Sequence, residues 1–152
     1  MPKPSQLYES EASLVREFVD LLFRHSLILK TCAVVEEFDY KSGRTDVLSL
    51  DENDELVAFE AKISDWRKAI HQAWRNSSFA DRYYVVLPKD RSRSAIENRA
   101  EFERLGVGLC TVDREGIEIA IESASTSTEP LIPWLHKKAK LALQTDGHRS
   151  RA

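Results

Sequence analysis

The sequence predicts an α/β domain: a mixed β-sheet with helices on both faces. Three observations predict it. Apolar periodicity alternates between helical and extended patterns in the order α-β-β-β-α-β-α-β-β-α. Two polar turns, Lys41-Ser42-Gly43 and Asp51-Glu52-Asn53-Asp54, join three consecutive extended segments into an antiparallel meander. A strand, helix, strand passage from residue 55 to residue 87 requires a crossover, and therefore a locally parallel pair. A meander joined to a crossover gives a mixed sheet.

The elements follow in order. Residues 8–25 read as a helix, with Ser10 or Ser5 as cap and Leu14, Val15, Phe18, Leu21 and Leu22 on one stripe. Glu11 precedes Phe18 by seven residues, a rotation of only about 20°, which puts it on the buried face. Glu9, Ser13, Arg16 and Asp20 are expected to point away. Residues 32–40, 45–50 and 55–63 are the meander strands. Residues 65–78 form a second helix capped by Asp65 or Ser64, with Trp66, Ala69, Ile70, Ala73 and Trp74 turned to the core. The continuous run at residues 82–87, closed by Pro88, suits a central strand covered on both faces. Residues 92–104 make a third helix with Ile96 and Phe102 inward. Strands at 107–112 and 117–121 flank the turn Asp113-Arg114-Glu115-Gly116. Residues 123–129 are a polar loop, and a last helix runs from about Trp134 to Leu143. Residues 1–145 are expected as one domain and 146–152 as a frayed tail.

A chain of 152 residues sustains a single core without disulfides or structural metal. Five glycines and five prolines exclude collagen-like and low-complexity classes. No apolar run approaches the ~20 residues of a membrane span, and the N-terminus leads directly into a charged helical pattern, so a cytoplasmic protein is expected. Cys32 and Cys110 sit in apolar segments without metal-type spacing and read as reduced core thiols. The net charge of -3 argues against a constitutive nucleic-acid coat. Its distribution is uneven: residues 1–61 carry 13 acidic and 6 basic side chains, whereas residues 62–104 carry 6 and 10. That pattern fits either a cation site beside a phosphate-binding surface or a solvated mosaic.

Several chemistries are missing. There is no phosphate loop, no dinucleotide fingerprint around Gly106-Val107-Gly108, and no Gly-x-Ser-x-Gly elbow. His25, His71, His136 and His148 share no ligand spacing. One constellation remains, on the meander. Glu60 and Lys62 lie two residues apart in one strand, which puts them on a common sheet face. The preceding strand can bring Asp46 alongside Glu60. Two neighbouring carboxylates repel unless a cation or proton joins them. Oxygen donors of this kind suit Mg²⁺ or Mn²⁺, and a nearby lysine can serve a water or a developing charge. The plainer alternative is a Glu–Lys ion pair on an exposed strand, with Asp46 starting a turn.

Gly43-Arg44-Thr45-Asp46-Val47, then Phe59-Glu60-Ala61-Lys62, then a helix carrying Gln72, together resemble the PD-(D/E)XK nuclease superfamily. The resemblance covers roughly residues 8–112 and implies a restriction endonuclease-like α-β-β-β-α-β core. It implies that Asp46, Glu60 and the Ala61 carbonyl bind Mg²⁺ or Mn²⁺, and that Lys62 serves the nucleophilic water. Glu11 matches the acidic residue of the first helix, and Gln72 the polar residue of the helix after the motif. Thr45 stands where the superfamily's name has proline, and Gln72 lies opposite the Trp66–Ile70–Trp74 stripe. The function implied is divalent-metal-dependent hydrolysis of DNA phosphodiester bonds. The alternatives are a catalytically silent module of the same fold that binds nucleic acid or protein, and an unrelated α/β protein with a coincidental ion pair. DNA is the expected partner, with no membrane and a homodimer left open. Arg67, Lys68 and Arg75 on the second helix, with Lys89, Arg91 and Arg93 after the fourth strand, suit phosphate contacts; Lys137, Lys138 and Lys140 read as surface charge. Trp66 and Trp74 read as core anchors.

Overall fold

The computed structural model describes residues 5–24, 30–40, 43–125 and 129–149. Its helices are α1 (Glu11–Arg24), α2 (Trp66–Arg75), α3 (Arg93–Glu97), α4 (Arg99–Leu105) and α5 (Pro133–Thr145). Its strands are β1 (Thr31–Tyr40), β2 (Gly43–Asp51), β3 (Leu56–Ala61), β4 (Arg82–Pro88), β5 (Gly108–Asp113), β6 (Gly116–Ile121) and β7 (His148–Arg149). They form one seven-stranded sheet in the order β6-β5-β4-β3-β2-β1-β7. β3, β4 and β5 run parallel to their neighbours among these three, and every other pairing is antiparallel. The fold is therefore a mixed sheet of the α/β class, flanked by helices. Residues 41 and 42 of the expected first turn, His25, residues 126–128 of the polar loop and residues 150–152 of the expected tail lie outside the described residues.

Alternation along the strands sorts the core into two layers. Leu14, Phe18, Leu21 and Leu22 of α1 pack on Val47, Val57, Phe59, Tyr84 and Val86. Trp66, Ala69, Ile70 and Ala73 of α2, Phe102 of α4, and Leu135, Ala139 and Leu143 of α5 cover Leu48, Leu56, Ala58, Val85 and Leu87 on the other face. α1 starts at Ser10: the Ser13 amide donates to Ser10 Oγ and the Ser10 amide to Ser13 Oγ, both at 3.1 Å, a reciprocal cap. At the other end of the chain, Lys140 of α5 reaches Asp54 in the β2–β3 turn at 2.8 Å. α4 ends at Gly106, whose φ of 73° is open to glycine at little cost.

Phe59 lies at the centre of the α1 layer, 4.8 Å from the Phe18 ring and 5.7 Å from Tyr84 between centroids. Phe59→Ala is expected to lower unfolding free energy by about 3–5 kcal/mol in a urea titration.

Three expectations about the core are corrected. Trp74 is 49% exposed. It lies roughly 100° from the centre of the stripe formed by Trp66, Ala69, Ile70 and Ala73, so the helix carries it past the core edge. Ile96 is 44% exposed, because the expected single helix breaks at Asn98 into α3 and α4 and Ala95 takes the inward position. Cys32 is exposed, because a register shift between Thr31 and Ala33 interrupts alternation at that point of β1. Cys110 is buried, and burial pushes its thiol up. The expected frayed tail contains β7, paired antiparallel with Ala33 and Val34 of β1. Among the described residues, no helix is long and apolar enough to cross a membrane.

Candidate functional site

The meander register builds the site. β2 and β3 pair from Leu50 and Leu56 to Val47 and Phe59, and one further step sets Asp46 beside Glu60. Crossed hydrogen bonds join the two residues. The Asp46 amide donates to Glu60 Oε1 at 3.4 Å, and the Ala61 amide donates to Asp46 Oδ2 at 2.9 Å. Burial followed by the Asp46 charge pushes the Glu60 carboxyl up to about 8. Burial also raises Asp46, partly opposed by the Ala61 amide. Among the described residues neither carboxylate forms an ion pair. Glu60 is only 2% exposed.

The expectation that Glu60 and Lys62 share a face is corrected. β3 ends at Ala61, and alternation ends with it. Glu60 turns into the α2 layer, where Asn76 Nδ2 donates to its Oε2 at 3.4 Å. Lys62 reaches the opposite layer, with Nζ 3.2 Å from Glu11 Oε1 on α1. Glu11 is consequently exposed at the mouth of the site rather than buried, although it stands close to the position its periodicity suggests.

A cleft of about 720 Å³ opens beside the strand ends, lined by Glu11, Arg16, Asp20, Glu36, Glu37, Asp46, Ala61, Lys62, Gln72 and apolar residues of α1. Gln72 faces it because Trp74 does not belong to the buried stripe of α2. Without Trp74 the centre of that stripe shifts, and Gln72 moves from opposite the core to its other edge. Arg16 and Asp20, expected to point away, line the cleft. Glu36 and Glu37 were not singled out from sequence. Glu37 has φ 54°, and the pairs Glu36–Val47 and Phe38–Thr45 bracket it opposite Asp46. Asn76 is the other residue that sequence reasoning missed.

None of the six basic residues assigned to phosphate lines the cleft. Arg67 sits 4.4 Å over the Trp66 ring, while Lys68 and Arg75 are exposed on α2. Lys89 lies 3.8 Å from both Asp113 and Glu118, and Arg93 pairs with Glu97 at 3.1 Å. Arg91 is half-buried beside them.

No group of three or more His, Cys, Asp and Glu side chains is arranged to hold a metal among the described residues. The donor set is two adjacent carboxylates, neither ion-paired among the described residues and both within the field of the Lys62 charge, next to a cleft. That set fits a hard divalent cation that keeps several waters rather than one held in an all-protein cage.

No family model matches the chain, and no curated protein matches it. Among solved structures, it is similar to a protein of unknown function, SPO1766 from Silicibacter pomeroyi, with 23% identity, a TM-score of 0.63, and 95% of this chain and 86% of that chain covered. It is more distantly similar to a repair endonuclease from Pyrococcus abyssi, with 20% identity, a TM-score of 0.47 and coverage of 72% and 50%. The EndoMS–dsDNA complex gives 19% identity, a TM-score of 0.48 and coverage of 74% and 48%, so the chain spans about half of each of these two. The 95% match to SPO1766 establishes that the mixed-sheet fold is shared along almost the whole chain.

Proposed function

We propose that the chain is a PD-(D/E)XK-type nuclease that hydrolyses DNA phosphodiester bonds with Mg²⁺ or Mn²⁺. One observation carries the reading: Asp46 and Glu60 are held together by each other's strand backbones, partly or wholly buried, and among the described residues neither is ion-paired. Burying two such charges is costly unless a proton or a cation is bound. Asp46, Glu60 and Ala61 would hold the cation. When bound, it would neutralise phosphate charge and make a bound water more acidic. Lys62, at the same strand end, supplies a positive charge for the attacking water or the developing oxyanion. Glu11 holds the Lys62 ammonium at 3.2 Å, and Gln72 offers an amide from the α2 side of the cleft.

The cleft itself is lined by five acidic and two basic side chains, so phosphate approach there depends on the bound cation. Arg67, Lys68, Arg75, Lys89, Arg91 and Arg93 lie outside it, and their contribution is to affinity along the flanking backbone.

Titration calorimetry with Mn²⁺ tests the metal assignment directly. Native protein is expected to bind, and Asp46→Ala to bind at least about tenfold more weakly. Equal affinities would remove Asp46 from the ligand set. The same preparations, incubated with supercoiled, branched and single-stranded DNA, test the reaction. Binding without nicking by the native protein would instead assign a silent module of this fold.

A further inference from the structure

Asn76 follows the last residue of α2 and is completely buried. Its backbone carbonyl accepts the amides of Phe79 and Ala80 at 3.1 and 2.8 Å, so the turn after α2 is formed without help from the side chain. The side-chain amide makes a separate set of contacts. Its Oδ1 accepts the Thr45 hydroxyl at 2.8 Å and the Tyr40 hydroxyl at 3.3 Å. Its Nδ2 donates to Glu60 Oε2 at 3.4 Å. The two ends of the amide are not interchangeable here. In the ionised form that a cation would bind, the Glu60 carboxylate only accepts, so the NH₂ faces Glu60 and the two hydroxyls donate to the carbonyl.

One amide thus joins β1, β2, β3 and the end of α2. Thr45 is also the chain neighbour of Asp46, so the same group fixes the strands bearing both carboxylates. The last torsion of a glutamate is broad and roughly two-fold, and burial alone does not select which oxygen faces a neighbour. In this protein Oε2 is taken by Asn76, and Oε1 lies on the Asp46 side, accepting the Asp46 amide.

We propose that Asn76, oriented by the Thr45 and Tyr40 hydroxyls, is a positioning residue that fixes the Glu60 carboxylate beside Asp46 and so sets the affinity of the pair for a divalent cation. The inference rests on the metal-site reading of Asp46 and Glu60. A purely structural Asn76, satisfying two buried hydroxyls, would influence melting temperature and leave cation affinity alone.

The experiment compares Mn²⁺ affinity by titration calorimetry with metal-free melting temperature, for native protein, Glu60→Ala, Asn76→Ala, Thr45→Val and Phe79→Ala. Phe79, in the turn after α2, packs on Tyr40 of β1 with ring centroids 5.2 Å apart, and has no polar side-chain group to offer the carboxylates. Asn76→Ala is expected to weaken Mn²⁺ binding about tenfold, in the range typical of groups that orient metal ligands. Thr45→Val, which removes one of the hydroxyls orienting the amide, is expected to weaken binding in the same direction by less. Phe79→Ala is expected to melt earlier yet bind as the native protein does. Native affinity in both Asn76→Ala and Thr45→Val would overturn the proposal, as would equal weakening in Phe79→Ala. If Asn76→Ala does not fold, native affinity in Thr45→Val is sufficient to overturn it. Unchanged binding in Glu60→Ala, or none by native protein, would instead overturn the metal-site reading and the proposal with it.

Discussion

Replacing Lys62 with alanine is expected to cut Mg²⁺- or Mn²⁺-dependent nicking of DNA by at least about a hundredfold, in line with the loss of one group that stabilises charge in a transition state. DNA affinity and melting temperature are expected to stay near native. The argument starts from position. Lys62 is the first residue beyond β3, half-buried at the cleft, and its backbone amide is fixed by the Val86 carbonyl at 3.0 Å. Its ammonium is one charge among many available for initial DNA contact, so its loss costs little binding. At the reacting phosphate it has no substitute: the other cleft cation, Arg16, projects from α1. Lys62→Arg is expected to rescue poorly, because a planar fork does not reproduce a compact ammonium. Equal nicking by native protein and Lys62→Ala would mean that the hydrolysis occurs elsewhere or comes from a contaminant. Raising salt should weaken binding by both proteins alike through counterion release, and so separates affinity from chemistry.

The neighbourhood of Asp46 and Glu60 is legible in the sequence because antiparallel register is nearly a counting rule. Polar turns at 41–43 and 51–54 bound the strands, and a short tight turn leaves little freedom in which residues face each other. The crossover through α2 is equally legible, since a strand, helix, strand passage returns the second strand parallel to the first. The faces of the site are less so. A period of two predicts a common face for Glu60 and Lys62, but only while the strand continues, and β3 ends between them. The helical residues fail for a related reason. Trp74 is apolar and adjacent to the stripe, so counting it rotates the inferred centre of α2 away from the true one and turns Gln72 away from the cleft. The missing signal was Asn76. It continues the steps Trp66, Ala69, Ala73 by three more residues, and a polar side chain on a buried stripe has to find partners. The expected helix over residues 65–78 runs past Asn76 and leaves it as one more helical position, and that reading hides the network with Tyr40, Thr45 and Glu60.

In the absence of divalent cations, Glu60→Gln is expected to melt about 5–10 °C above native protein at pH 8, and to lose that advantage near pH 4. The sign follows from proton counting. Burial and the neighbouring Asp46 raise the Glu60 carboxyl from 4.5 to about 8 in the folded chain. Between those values the folded protein retains a proton that the unfolded chain has released. The unfolded state therefore binds fewer protons, and native stability falls as pH rises through this interval. The raised Asp46 carboxyl adds a contribution of the same sign. Glutamine is neutral throughout and escapes the Glu60 part of the decline. It is also a fair mimic of the protonated acid at low pH. Both present one acceptor oxygen and one donor to a place where the Asp46 amide and Asn76 Nδ2 each offer a hydrogen. That shared mismatch makes the two curves converge near pH 4. Saturating Mn²⁺ should invert the order at pH 8, because a ligand that binds only the folded state stabilises native protein and a cation then takes the place of the proton. Parallel melting curves for the two proteins between pH 5 and pH 8 would mean that the Glu60 carboxyl is not raised. A native advantage lacking in Mn²⁺, with the metal-free divergence intact, would keep the buried charge and discard the cation.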